Sequence, residues 1–486
     1  MTDRCRAFRL LVAALLTTAG CSTESPDSAR IAERIRHIET GLLSPVYVEG
    51  RQYSPTTIPQ EMKANSIPAV SIAVVHEGRI EWSKAYGLAD VESGRAATET
   101  TLFQAASISK AVASTAALTL VAEGKLTLDE DVNTKLRSWH LPPNELTRKA
   151  PVTLRRLLTH TAGLTVHGFP GYEPGQPVPT VVQILEGQPP SNTEAVRVDI
   201  EPGTTRRYSG GGILLMQLLM TDVTGQAFPA LMRDRVLTPI GMNASTFEQP
   251  LPASRGVEAA TGYKVDGTPW PGRYRTQPEM AAAGLWTTPS DLARWIIEVQ
   301  HAVSGTSGVL PKHIAAMMVT PDLGNAGLGV ALEGADQELR FRHGGANYGF
   351  RTDLVGFVRR GEGMVVMTNS DAGDAVIGKI EEAIAREYGW PGFERKRIIP
   401  IPIAEQQLEE YTGRYQLAER SLQVIVSLDS GKVMMTLPNG QQIEIVPTGT
   451  DAFATTVGGG TVTFERDDTG KVIALHAGPE RAHRIE

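Results

Sequence analysis

The chain is poor in cysteine. Of its 486 residues only Cys5 and Cys21 carry a thiol, and both lie within the first 21 positions. Everything after Cys21 is therefore without a disulfide, a thiolate nucleophile or a cysteine-based metal site. An excess of basic charge is also missing. Lys and Arg number 47 against 54 Asp and Glu, a net charge of −7, which argues against a nucleic-acid partner. The longest early apolar run, Leu10 to Leu16, is too short for a membrane span of about 20 residues, and no later stretch is long or apolar enough. No Ser has Gly at both −2 and +2, there is no H-E-x-x-H, and the glycine-rich stretches lack a phosphate-loop lysine. These absences exclude the nucleophile elbow, the helical zinc motif and the nucleotide cradle, and imply neither metal nor cofactor. The remaining composition, 41% hydrophobic and 21% charged, is that of an ordinary globular protein with room for two to four domains of ~100–200 residues.

The first residues read as an export signal. Arg4, Arg6 and Arg9 precede the apolar run, and Thr18-Ala19-Gly20 lead into Cys21. The length suits the ~7–15-residue apolar core of a secretory signal. The end resembles a bacterial lipobox, with Thr18 where Leu is usual. That resemblance implies a lipid-anchored protein, periplasmic or on the cell surface, attached to the membrane through Cys21.

The rest divides into segments. Residues 22–54 read as a polar tether, to about residue 30, and a helix from about Ala29 to Leu43. A main domain is expected over 55–394. In it Ala69–Val75 and Ile80–Tyr86 form a hairpin, and Leu102 to Ala122 starts extended and becomes an apolar helix stopped by Gly124. Thr288-Pro289-Ser290-Asp291 opens another helix with a cap, a proline at the first position and an acid at the third. Further strands are expected at Gly327–Leu332, Arg340–Arg342, Arg351–Val358 and Met364–Asn369, then a helix over Ala375–Tyr388. Residues 395–407 read as a linker. Residues 408–486 contain short alternating runs split by Asp-Ser-Gly, Pro-Asn-Gly and Asp-Thr-Gly turns, the pattern of a small antiparallel barrel or sandwich.

Three short motifs could carry chemistry. In Ser107-Ile108-Ser109-Lys110, spacing of three puts Ser107 and Lys110 on one helical face, within reach of each other. A helix N-terminus also offers free N–H groups and partial positive charge to a developing oxyanion. Lys110 lies in an Ala/Val/Leu-rich helix, where a charge needs a reason, and it is the sole lysine with Ser three residues before it. Tyr208-Ser209-Gly210 precedes an apolar helix and could project its ring into a cleft. His343-Gly344-Gly345 falls between two strands, where paired glycines allow close approach to the backbone. Each alone has a plainer explanation: a polar helix start, a loop tyrosine, a turn histidine.

Taken in order, S-x-x-K, Y-x-x and H-x-G resemble the serine hydrolases of the penicillin-binding protein and class C β-lactamase superfamily. This superfamily includes D-Ala-D-Ala carboxypeptidases, D-aminopeptidases and esterases. FQAASISK (103–110), TLRRLLTHTAGL (153–164), AAGLWTTPSDLARW (282–295) and HGGANYGF (343–350) are similar at matching places, and the likeness covers about 55–390. It implies an α/β fold of the β-lactamase/transpeptidase type, an antiparallel sheet flanked by helices with a helical subdomain. It also implies a Ser107 nucleophile forming an acyl-enzyme, and a Lys110–Tyr208 base system. His343, Gly345 and Ala346 would edge the substrate site, with the N–H groups of Ser107 and Ala346 as the oxyanion hole. The substrate would be a small ester, amide or D-peptide. A free lysine has a pKa of about 10.4, so a neutral amine at pH 7 costs ~4–5 kcal/mol, which burial or a proton-sharing neighbour must supply. Two departures weaken a β-lactamase activity: Gly210 stands where Asn is common, and His343 where Lys is favoured. A β-lactamase or weakly turning-over penicillin-binding protein remains an alternative, as does a non-catalytic binding or sensing protein on the same fold. The last segment, opening with LEEYTGRYQL (408–417), resembles the lipocalin-like barrels appended to some relatives. That implies a domain that shapes access, drives homo-oligomerisation or only stabilises.

Overall fold

The computed structural model describes residues 26–417, 422–438, 440–478 and 480–486. The expected signal and Cys21 lie outside the described residues. Helix α1 (Pro26–Thr40) begins earlier than expected, inside the stretch read as tether. Its Ile31, Ile35 and Ile38 fall at helical spacing and pack as one stripe, so burial extends the helix through the polar residues before them.

The main sheet uses β2 (Ala69–His76), β3 (Arg79–Asp90), β4 (Arg95–Ala96), β5 (Ala331–Glu333), β6 (Arg340–Asn347), β7 (Phe350–Phe357) and β8 (Gly363–Thr368). A short strand, β1 (Val46–Val48), lies outside it. The seven strands run in the order β4-β3-β2-β8-β7-β6-β5, and every neighbouring pair is antiparallel. One face is covered by α1 and the helix Asp374–Tyr388, with Ile72, Val74, Phe357 and Ile380 between. The other carries the larger core and the helical part: α2 (Ile108–Ala122), α3 (Gly210–Thr224), α4 (Met280–Ala283) and α5 (Pro289–Ser304). The α5 cap is as expected, with Asp291 N–H donating to Thr288 Oγ1 at 3.2 Å. Residues 108 to 120 of α2 are all buried. A helix apolar on every side belongs inside, and that places Lys110 inside with it.

Two strand expectations change. Gly327–Leu332 is mostly loop, and the strand starts only at Ala331. Gly329 has a left-handed backbone (φ +89°), and a Cβ there would lie 2.1 Å from Ser114 Oγ, so the chain turns against α2 instead of extending. His343-Gly344-Gly345 does not lie between strands. It continues β6 from Arg340 to Asn347, in register with Phe350–Phe357.

Residues 413–484 form a closed antiparallel barrel of eight strands, which decides between barrel and sandwich. Its strands are β10 (Gly413–Leu417), β11 (Gln423–Asp429), β12 (Lys432–Thr436), β13 (Gln442–Gly449), β14 (Ala452–Thr455), β15 (Thr461–Arg466), β16 (Val472–Ala477) and β17 (Glu480–Arg484). Tyr411, Tyr415, Phe453 and Phe464 fill it. The segment before it is pinned. The strand β9 (Lys396–Ile398) pairs in parallel with β1, and Val46, Val48 and Ile398 pack on Val446 of the barrel. Arg51 donates to both oxygens of Glu444, at 2.9 and 2.7 Å, closing the junction.

Candidate active site

The N-terminus of α2 sets the site. Ala106 adopts a left-handed backbone (φ +48°), which swings the chain so that Ser107 occupies the cap position ahead of the first helical turn. The Ser107 N–H finds no acceptor among the described residues. One turn on, Lys110 is 2% exposed. Its Nζ donates to Ser107 Oγ at 2.9 Å and to the Ala282 carbonyl of α4 at 2.6 Å. Ser109, the second serine of the motif, is buried and accepts from Leu285 N–H at 3.0 Å, tying α2 to the residues after α4.

Tyr208 arrives from the loop before α3. Its ring centroid stands 5.1 Å from Lys110 Nζ, and its hydroxyl makes no hydrogen bond to Ser107 or Lys110 among the described residues. Imidazoles surround the ring: His160 at 4.4 Å, His167 at 4.9 Å and His343 at 6.3 Å between centroids. His160 is buried, and its Nδ1 accepts from Ser209 N–H at 3.3 Å. Burial, then the Lys110 charge, hold it well below the usual histidine range. His343 is half-buried. Burial, then Lys110, push it down to about 4, so it is neutral at pH 7. Its Nδ1 lies 2.7 Å from the Gly344 carbonyl. A carbonyl only accepts, so Nδ1 carries the proton and Nε2 keeps its lone pair.

Strand β6 forms the opposite wall. Asn347 pairs with Phe350 across the two-residue turn Tyr348-Gly349. Alternation along an antiparallel ladder then turns the backbone groups of Gly344 and Ala346 away from β7, toward the cleft. Gly345 has a packing role: a Cβ there would meet the Ala105 carbonyl and Thr352 Oγ1, each at 2.3 Å. Its smallness lets β6 close on the turn that carries Ser107. Gly210 is explained in the same way. A Cβ would lie 3.0 Å from Phe169 and 3.1 Å from the His167 carbonyl, so the 165–169 loop occupies the space an asparagine would need.

Ser107, Lys110, Tyr208, His343, Gly345 and Ala346 thus line one cleft of about 710 Å³. Sequence reasoning did not single out His160, His167, Asn347 or Glu279. His160 stood inside the quoted 153–164 stretch, and Asn347 directly follows the third motif. Asn347 donates to Gln104 Oε1 at 2.7 Å and to the Ala283 carbonyl at 3.2 Å, bracing β6 against α4. Glu279, just before α4, is fully buried, and neither carboxylate oxygen has a hydrogen-bond partner among the described residues. Burial pushes it up to about 8. No signal in the sequence marks that carboxylate as buried. Arg342 and Arg351 also line the cleft, but each is paired: Arg342 with Asp353 and Glu381, both at 2.9 Å, and Arg351 with Asp371 at 3.0 Å. Arg206 has no carboxylate partner among the described residues. No His/Cys/Asp/Glu group of metal-holding geometry occurs among them.

A family model described as Beta-lactamase matches residues 56–387, and one described as a domain of unknown function (DUF3471) matches 399–484. The chain is 28% identical over 266 residues to Protein flp of Staphylococcus aureus (strain MW2), covering 51% of this chain and 48% of that protein. It is 30% identical over 249 residues to a Beta-lactamase of Pseudomonas fluorescens, covering 51% and 63%. The chain thus spans about half to two thirds of the length of these curated relatives. Among solved structures it resembles the octameric penicillin-binding protein homologue from Pyrococcus abyssi, with TM-score 0.61, 23% identity, and 87% of this chain and 98% of that one covered. It also resembles the D-alanine carboxypeptidase AmpC from Burkholderia cenocepacia, with TM-score 0.53, 21% identity, and 68% and 96% covered. At such identities the structures speak for the fold, and the family match, spanning well over half the chain, carries the assignment: this protein belongs to the beta-lactamase family of serine hydrolase folds.

Proposed function

We propose that the protein is an exported serine hydrolase that cleaves ester or D-peptide-like amide bonds through an acyl-enzyme on Ser107. The observation that carries this is the 2.9 Å contact between buried Lys110 Nζ and Ser107 Oγ at the start of α2. Ser107 Oγ attacks the substrate carbonyl while its proton passes to the Lys110–Tyr208 pair. The N–H groups of Ser107 and Ala346 receive the oxyanion. The same pair returns the proton to the leaving atom, the C–O or C–N bond breaks, and the acyl-enzyme remains. Water, deprotonated in turn, releases the acid. Neutral His160 and His343 keep further positive charge away from the lysine–tyrosine pair while presenting polar ring edges to the leaving group.

The β-lactamase alternative is weaker here because neutral His343 supplies no charge for a β-lactam carboxylate. A fluorophosphonate should label Ser107, seen by mass spectrometry of the modified peptide. Ser107→Ala should abolish p-nitrophenyl acetate hydrolysis. Hydrolysis that survives this substitution rules the mechanism out, and absent labelling favours a binding protein. Membrane attachment through Cys21 is the companion proposal, supported by the lipobox-like residues. Palmitate labelling that persists in Cys21→Ala would reject it. Homo-oligomerisation through the barrel is a further proposal, favoured by the octameric state of the Pyrococcus abyssi homologue, and sedimentation of the full chain checks it.

A further inference from the structure

Among the described residues the Tyr208 hydroxyl is tied to neither Ser107 nor Lys110. The hydrogen bonds of Lys110 Nζ go to Ser107 and Ala282, so the place of the Tyr208 ring is set by the backbone that carries it. That backbone is gripped from behind by the loop 160–167. His160 takes both neighbours of the tyrosine. Its carbonyl accepts from Arg207 N–H at 2.8 Å, and its ring Nδ1 accepts from Ser209 N–H at 3.3 Å. The His160 ring also lies against the Tyr208 ring, with centroids 4.4 Å apart. Further along the loop, the His167 and Val166 carbonyls accept from Gly210 and Gly211 N–H at 2.9 and 3.0 Å. The Thr165 carbonyl accepts from Ser209 Oγ at 2.8 Å.

The loop is strained where it grips. His160 and Val166 both have left-handed backbones, at φ +59° and +62°. That conformation is costly for any residue with a Cβ and an outlier for a β-branched one. Such residues persist only where the surrounding structure holds them, and they gather at functional sites. Here the two strained residues are those whose carbonyls meet Arg207 and Gly211. The histidine ring adds a chemical requirement. The Ser209 N–H donor must meet a lone pair, so Nδ1 is bare and the proton sits on Nε2, the reverse of His343. Burial first, then Lys110, His343, Arg206 and His167, disfavour a charge on the ring. The acceptor is thereby kept beside a cationic lysine.

We propose that His160 is a positioning residue: by gripping the peptide on each side of Tyr208 and backing its ring, it fixes the phenol where proton exchange with Lys110 needs it. In this role it acts through Tyr208 and not on the substrate. The proposal rests on the reading of Lys110 and Tyr208 as the base pair, and it gives the strained 160–167 turn a purpose.

Two substitutions that both suit a left-handed backbone separate the acceptor from the loop's shape. His160→Gly removes the ring and its acceptor, whereas His160→Asn sets an amide oxygen about where Nδ1 stands. With p-nitrophenyl acetate and the full chain, His160→Gly should lower kcat about 10²-fold, the loss that a small misplacement of a catalytic group brings, with KM little changed. His160→Asn should recover most of that loss. Tyr208→Phe should itself lower kcat by about 10²-fold or more. In that background His160→Gly should cost little further, because its effect passes through the missing hydroxyl. Thermal melts check folding, and His160→Ala, which also lacks the acceptor, replaces the glycine variant if the loop loosens. Equal losses in the glycine and asparagine variants, a loss confined to KM, or a full additional loss in the Tyr208→Phe background would each overturn the positioning role. An undiminished kcat in Tyr208→Phe, with Ser107 still labelled by a fluorophosphonate, would instead overturn the base reading of Tyr208 and leave the acyl-enzyme standing.

Discussion

The surroundings of Ser107 and the interior of the barrel are built on opposite principles. Behind the catalytic cleft, polar groups are buried and incompletely partnered: Lys110 is 2% exposed, His160 7%, Gln277 1% and Glu279 0%. The side-chain polar atoms of Gln277 and Glu279 have no hydrogen-bond partner among the described residues. In the barrel the interior is Tyr411, Tyr415, Val426, Phe453, Phe464 and Leu475. Its polar groups are satisfied, as where the Tyr415 hydroxyl donates to the Tyr411 carbonyl at 2.7 Å. Its charges are paired, such as Arg466–Asp451 at 2.8 Å and Arg481–Glu465 at 2.9 Å. No described barrel residue has an unpartnered buried side-chain polar atom. Each such atom costs about 1–3 kcal/mol, so the catalytic unit carries a strain that the barrel does not. Its larger hydrophobic core offsets that strain. Polar burial without partners marks the part of the molecule organised for chemistry, and a dry, well-paired interior marks the part organised to hold shape.

The largest effect is expected at the centre of the contrast. Lys110→Ala should slow fluorophosphonate labelling of Ser107 by about 10³-fold. The variant should keep its fold, because a buried charge is removed together with its desolvation. An unchanged labelling rate would remove Lys110 from the base role and with it the contrast's catalytic half. In the barrel, Phe453→Ala should cost about 3–5 kcal/mol in urea unfolding of the full chain, since Phe453 is fully buried against Tyr411 and Phe464, at 4.9 and 5.3 Å. Its kcat for acetate esters in native buffer should stay close to that of the parent.

Glu279 sharpens the comparison through pH. Burial raises its folded-state pKa to about 8, against about 4.3 in an unfolded chain. An acid whose pKa is raised on folding stabilises the protein at low pH and loses that contribution as pH climbs. Stability should therefore fall between about pH 4.5 and 8 by a few kcal/mol and level off above. Glu279→Gln should flatten this slope, checked by urea midpoints at pH 5 and pH 8. An equal slope in both proteins would show that the carboxylate is solvated. The smallest effect belongs to the junction. Arg51 is partly exposed, so breaking its pair with Glu444 by Arg51→Ala should cost less than ~1 kcal/mol. A larger drop in melting temperature would mean the two units stabilise each other more than their surface ion pair implies.

Much of the fold was legible because it is written in local patterns. The strand periodicity gave the β2–β3 hairpin within a few residues, the Thr288–Asp291 cap gave the start of α5, and the turn signals of 408–486 gave an all-antiparallel unit. The motif order led to the family and gathered six residues that line one cleft. Three things were not legible. Gly329 fell inside an expected strand and Gly345 between two, yet Gly329 turns the chain against Ser114 ahead of β5 and Gly345 lies inside β6 where it touches the turn before Ser107. The polar stretch before α1 read as tether although long-range packing makes it helical from Pro26. Glu279 gave no signal because burial is a property of the folded whole, and His160 was visible only as part of the 153–164 stretch. The amino-acid sequence by itself determined which segments repeat at helix or strand period, that no thiol follows Cys21, and that Ser107 and Lys110 share one helical face. Only the tertiary structure decided that Lys110 is held between Ser107 and the Ala282 carbonyl, that Tyr208 stands among three imidazoles, and that Val446 of the barrel packs on Val46, Val48 and Ile398. The reason is physical: periodicity and spacing act over one or two turns of chain, whereas desolvation and close approach are set by segments hundreds of residues apart.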